Sequence, residues 1–98
     1  MDHEQHFQDV IKKVKILQRN YPEIEKIILF GSRARGEGRY NSDIDLCIFA
    51  PEEFDKNFLA FSGDIEEIHT YYSFDVLFWH YLSSDVLKKE ILEEGIEI

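Results

Sequence analysis

Two aspartates one residue apart, Asp43 and Asp45, stand at the head of an apolar run, and about a dozen residues before them the chain carries a Gly-Ser pair, Gly31 and Ser32. Residues 44–49 (IDLCIF) read as a strand, in which side chains two positions apart share a face, so the two carboxylates converge. Such charges repel each other unless something positive lies between them. A hard divalent cation with oxygen ligands meets that need, magnesium first. Residues 26–30 (KIILF) read as a buried strand, and residues 32–35 (SRAR) as the first turn of a helix leaving it. The N–H groups at such a helix start point towards phosphate oxygens. Gly31 lets a ligand approach the backbone, and the Ser32 hydroxyl adds a hydrogen bond. A phosphate cradle facing a carboxylate pair is the equipment of metal-assisted phosphoryl or nucleotidyl transfer, in which two ions roughly 3.5–4 Å apart hold the attacking and leaving oxygens.

A third carboxylate is then expected on a neighbouring strand. Asp75 supplies it, inside residues 73–78 (SFDVLF), the other strongly strand-like stretch with an embedded acid. Arg33, Arg35 and Arg39 gather around the Gly-Ser turn, where guanidinium groups suit a triphosphate. Ser42 is expected to support the turn that aims Asp43. Cys47 falls on the same strand face as the two aspartates, but a thiol is a poor ligand for a hard metal, so it reads as a packing residue. His3, His6, His69 and His80 show no paired metal-ligand spacing and read as surface or packing residues.

The elements that must position these groups follow from periodicity. Phe7, Val10, Ile11, Val14 and Leu17 recur at helical spacing, which predicts a first helix ended by Asn20-Tyr21-Pro22. Phe54, Phe58, Leu59, Phe61, Ile65 and Ile68 predict a helix interrupted or ended near Ser62-Gly63 and then a second short one. Residues 85–94 predict a last helix with Leu87, Ile91 and Leu92 inward and Gly95 as its stop. The expected fold is α+β, a small mixed sheet flanked by helices, with residues 1–98 as a single domain able to bury roughly 60–70% of its unfolded surface. No apolar stretch approaches the roughly 20 residues of a membrane span, no signal peptide is visible, and one cysteine allows no internal disulfide, which suits the cytoplasm. A net charge of -9 disfavours a broad nucleic-acid surface and therefore polymerase-like work on a duplex.

Gly31-Ser32, a spacer, Asp43-Ile44-Asp45 and a later Asp75 resemble the signature of the DNA polymerase beta superfamily of nucleotidyltransferases. The forms GSRARG and SDIDL are most similar to the minimal nucleotidyltransferases, the MNT proteins. That resemblance implies a palm-like nucleotidyltransferase fold, with Asp43, Asp45 and Asp75 as catalytic and metal-binding residues. It implies ATP as substrate, with Gly31, Ser32, Arg33 and Arg35 binding it, and Asp75 completing the site as base towards the acceptor hydroxyl. Larger relatives carry a second helical domain that shapes the acceptor pocket, so here the acceptor is expected to come from elsewhere. For MNT proteins the implied partner is a HEPN ribonuclease toxin, met in a hetero-oligomer and neutralised by transfer of AMP to a tyrosine. Two alternatives belong to other classes: transfer to a small molecule such as an antibiotic, and inhibition of a partner by contact alone.

Overall fold

Phe7, Val10, Ile11 and Val14 are buried along one side of α1 (His3–Gln18), as their spacing requires, and that stripe packs on a four-stranded sheet. The computed structural model describes residues 3–37 and 43–98. After α1 the chain runs through β1 (Lys26–Phe30), β2 (Ile44–Phe49), α2 (Asp55–Glu66), β3 (Phe74–Phe78), α3 (Asp85–Glu94) and β4 (Ile96–Glu97). Single 3-10 turns lie at Gly31–Arg33, Glu52–Phe54 and Trp79–Tyr81. The strand order is β3-β2-β1-β4. β1 pairs antiparallel with β2 and β4, and β2 pairs parallel with β3, so the sheet is mixed as expected.

Alternation along the strands divides the apolar residues between two faces. Ile27 and Leu29, Ile44, Leu46 and Ile48, and Val76 and Phe78 meet α1 and α2 in the larger core. Ile28 and Phe30, Cys47 and Leu77 belong to a smaller cluster closed by Ile91 and Leu87 of α3. Asp45 and Asp75 fall in the second alternation, on the α3 face. Burial pushes the Cys47 thiol up to about 12, which makes it a packing group on that face and not a reactive thiolate. Outside the sheet, the Tyr21 phenol donates a 2.6 Å hydrogen bond to Asp64 and ties the end of α1 to α2.

Three expectations are corrected. Gly63 neither ends nor interrupts α2, which continues to Glu66, and no second short helix follows. Phe58, Phe61 and Ile65 bury one continuous stripe across it, and that packing outweighs the cost of one helical glycine, about 1 kcal/mol. A Cβ at Gly63 meets nothing within 4 Å, so Gly63→Ala is expected to stabilise the chain by about 0.5–1 kcal/mol, read as a higher urea midpoint at constant slope. Leu92 is exposed and not inward, because Ile91 already fills the contact with the sheet. β4 is an element that periodicity does not announce. It consists of two residues paired with Ile28 and Leu29, and the Ile98 N–H extends it by donating to the Ile27 carbonyl.

Candidate active site at the strand ends

Gly31 follows the last residue of β1, and Phe30 stands in register with Asp45 of β2, so the turn is delivered directly against that carboxylate. The backbone of Gly31 has φ +76°, a left-handed conformation that favours glycine. A Cβ built there would overlap the Asp45 carboxylate oxygen. The glycine is therefore needed twice, for its backbone conformation and for the space that Asp45 occupies.

Asp45 also stands in register with Asp75 across the parallel β2–β3 pair, which places the two carboxylates side by side on strands about 4.8 Å apart. Burial holds the Asp45 carboxyl above the usual carboxylate range, and the charges of Asp75, Asp43 and Glu90 push it further while Arg35 opposes them. Asp43 is exposed and lies just before β2, which begins at Ile44, where the backbone N–H donates to the Ser73 carbonyl. Among the described residues no group of three or more Asp, Glu, His or Cys side chains is gathered closely enough to hold a metal ion, so Asp43, Asp45 and Asp75 do not converge into one ligand set. The aspartates are thus electrostatic neighbours, and their hard oxygen donors suit a divalent cation such as magnesium.

The segment after β1 differs from the expected helix. It is a single 3-10 turn, Gly31–Arg33, continued by N–H donation from Ala34 and Arg35 to the Gly31 carbonyl and from Glu37 to the Ser32 carbonyl. Gly36, at φ +75°, turns the chain away before a helix can propagate. The two arginines separate. Arg33 lays its guanidinium over the rings of Phe7 and Tyr72, 5.0 and 4.7 Å from their centroids, on the α1 side. Arg35 turns towards α3, donating from Nε to Glu37 at 2.8 Å, with Nη1 3.4 Å from Glu94 and 3.8 Å from Glu90. Ser32 is half-buried in the turn. Arg39 and Ser42 lie outside the described residues. Glu90 and Glu94 were not singled out by sequence, although two acids four apart on one helix face repel unless a cation joins them, and that spacing was the available signal.

His3 is a surface residue and His6 a partly buried packing residue. The His3 ring lies within hydrogen-bonding distance of the Tyr71 hydroxyl, and His6 lies 2.8 Å from the Thr70 hydroxyl and stacks on Tyr71 and Tyr72.

A sequence profile of the polymerase beta nucleotidyltransferase family matches residues 12–98. The chain belongs to that family. Within it, the chain is similar to the protein adenylyltransferase MntA of Shewanella oneidensis, 41% identical over 44 residues that make up 45% of this chain and 32% of that protein. The aligned part thus spans about a third of the curated relative. Among solved structures, a mutant MntA toxin–antitoxin complex matches with a TM-score of 0.66 and 25% identity, covering 89% of this chain and 68% of that one. The MNT antitoxin bound to tri-AMPylated HEPN toxin of Shewanella oneidensis matches with a TM-score of 0.63 at 22% identity, over 92% of this chain and 68% of that one. The α+β nucleotidyltransferase fold implied by the resemblance is therefore borne out. No helix among the described residues is long and apolar enough to cross a membrane.

Proposed function

We propose that this polymerase beta family chain is a single-domain, magnesium-dependent protein adenylyltransferase that transfers AMP from ATP to a tyrosine of a HEPN toxin and acts as its antitoxin. The observation that carries the reading is the pairing of Asp45 with Asp75 while Gly31 is pressed against Asp45, which puts a phosphate-sized turn against two carboxylates. Similarity to the protein adenylyltransferase MntA supports transfer of an adenylyl group to a protein.

Asp43, Asp45 and Asp75 would hold magnesium, which when bound neutralises the carboxylates and the phosphate charge. Gly31 and Ser32 present backbone N–H groups and a hydroxyl to the triphosphate. Arg35, on the α3 side of the turn, adds a planar set of donors to the phosphates, while Arg33 braces the turn from the α1 side by stacking on Phe7 and Tyr72. Asp75 accepts the proton of the tyrosine hydroxyl as its oxygen attacks the α-phosphorus. The P–O bond to pyrophosphate then breaks, and AMP stays on the tyrosine. The surplus of negative charge favours docking on a ribonuclease, whose RNA-binding surface must be positive.

The test mixes the chain with its cognate HEPN protein, ATP and magnesium and follows intact mass. Gain of AMP on the toxin, retained with loss of ribonuclease activity after separation, is the expected result. Asp75 is exposed, so Asp75→Asn is expected to leave the melting temperature nearly unchanged while slowing transfer by about 10²- to 10⁴-fold. Stable inhibition of the toxin by Asp43→Asn without any mass change would instead favour a contact-only inhibitor. Neither modification nor binding would turn the reading to a small-molecule acceptor.

A further inference from the structure

Arg35 is turned towards α3, on the carboxylate face of the sheet, and its fork is already engaged. Nε is 2.8 Å from Glu37, while Nη1 is shared between Glu94 at 3.4 Å and Glu90 at 3.8 Å. The two α3 contacts are long and half exposed, so each is weak and exchangeable. A triphosphate offers the same guanidinium shorter, bidentate, more strongly charged partners. Glu90 and Glu94 lie four apart on α3, where like charges repel, so these acids depend on Arg35 as much as it is held by them. α3, which carries both acids, closes the sheet face on which Asp45 lies.

We propose that Glu90 and Glu94 are positioning residues that latch Arg35 on the carboxylate face of the sheet, and that an incoming triphosphate must take Arg35 from them. This rests on the reading of the Gly31 turn as a nucleotide site. The latch sets nucleotide affinity from α3, an element that contributes no ligand of its own. Without nucleotide it keeps a positive charge on the sheet face where Asp45 and Asp75 stand side by side. With nucleotide it releases that charge to the phosphates.

A double-mutant cycle on the full chain tests this, with magnesium and a non-hydrolysable ATP analogue titrated by calorimetry. Glu90→Gln with Glu94→Gln is expected to tighten binding by about three- to tenfold, because the α3 competitors for the Nη1 end of Arg35 are gone while Glu37 still holds Nε in both proteins. Placed on Arg35→Ala, the same two changes are expected to shift affinity by less than about twofold, since no latch remains to be opened. The single Glu94→Gln variant, at a half-exposed position that leaves folding intact, should give a smaller tightening of the same sign. Equal tightening with and without Arg35 would show general repulsion and overturn the latch. Unchanged or weaker binding in the Glu variants would overturn it too. Absence of binding by the unsubstituted chain would overturn the nucleotide-site reading itself, and the latch with it.

Discussion

Asp45→Asn is expected to make the free chain more stable and chemically inert. Burial holds the Asp45 carboxyl above its usual range, and Asp75, Asp43 and Glu90 add to that shift, so the fold pays a penalty for this charge at neutral pH. Removing the charge while keeping the shape lifts the penalty. The melting temperature of the nucleotide-free protein at pH 7 should rise by up to a few degrees, on a scale where 1 kcal/mol corresponds to about 4–8 °C for a domain of this size. Transfer should fall by at least about 100-fold, because the carboxylate nearest the phosphate turn is lost. Stabilisation by magnesium plus ATP, present in the parent chain through binding linkage, should be largely lost as well.

The pH dependence gives this prediction a sign. A carboxyl whose folded pKa is raised binds its proton more tightly in the folded state, so its contribution to stability improves as pH falls through the raised value. The advantage of Asp45→Asn over the parent is therefore largest at neutral pH. It shrinks below the raised pKa of Asp45, down to the ordinary carboxylate value near about 3.9, where the group is protonated in both states. Thermal melts of the two proteins between neutral and mildly acidic pH read the difference directly. A melting temperature that drops on Asp45→Asn at pH 7, or a gap between the proteins that widens with acid, would show that Asp45 is a stabilising charge and not a strained one.

The parts of this fold that were legible in the sequence are those specified locally. β1 and β2 were readable to the residue because short apolar runs sit between a helix stop and polar turns, and α3 because Leu87 and Ile91 recur at helical spacing and Gly95 ends it. The hidden parts are those decided by partners distant in sequence. β4 is a strand only because β1 offers it an edge, and α2 runs through Gly63 only because the sheet buries both of its flanking turns. In the site, the strand period put Asp43 and Asp45 on one face and a third acid on a neighbouring strand; the β2–β3 register places Asp45 beside Asp75, while Asp43 lies just before β2. The separation of Arg33 from Arg35 was not legible. Positions two apart in a helical turn point to different sides, and the groups that each arginine meets, rings on the α1 side for Arg33 and the acids of α3 for Arg35, lie far away in sequence.

Gly31→Ala is expected to cost both the fold and the chemistry, and Gly36→Ala only the fold. The two glycines share nearly the same left-handed backbone, φ +76° and φ +75°, so an alanine at either position brings strain of about 1–3 kcal/mol. Their surroundings differ. A Cβ at Gly36 meets nothing within 4 Å, whereas a Cβ at Gly31 would occupy the place of the Asp45 carboxylate. Relief at Gly31 requires Asp45 to move or the turn to lift from β2, and either change separates the phosphate cradle from the carboxylate pair. Gly36→Ala should therefore lower the melting temperature by roughly 4–15 °C, on the scale relating strain to a small domain's transition, and retain most transfer activity. Gly31→Ala should lose more stability than Gly36→Ala and reduce transfer by at least about 100-fold, since even a 1 Å misplacement can cost that much. The two variants are compared by thermal melts and by the rate of AMP gain on the toxin. Equal losses of stability together with near-normal transfer in Gly31→Ala would mean that the contact between turn and carboxylate is incidental, and the turn would then be only a tight connection between strands.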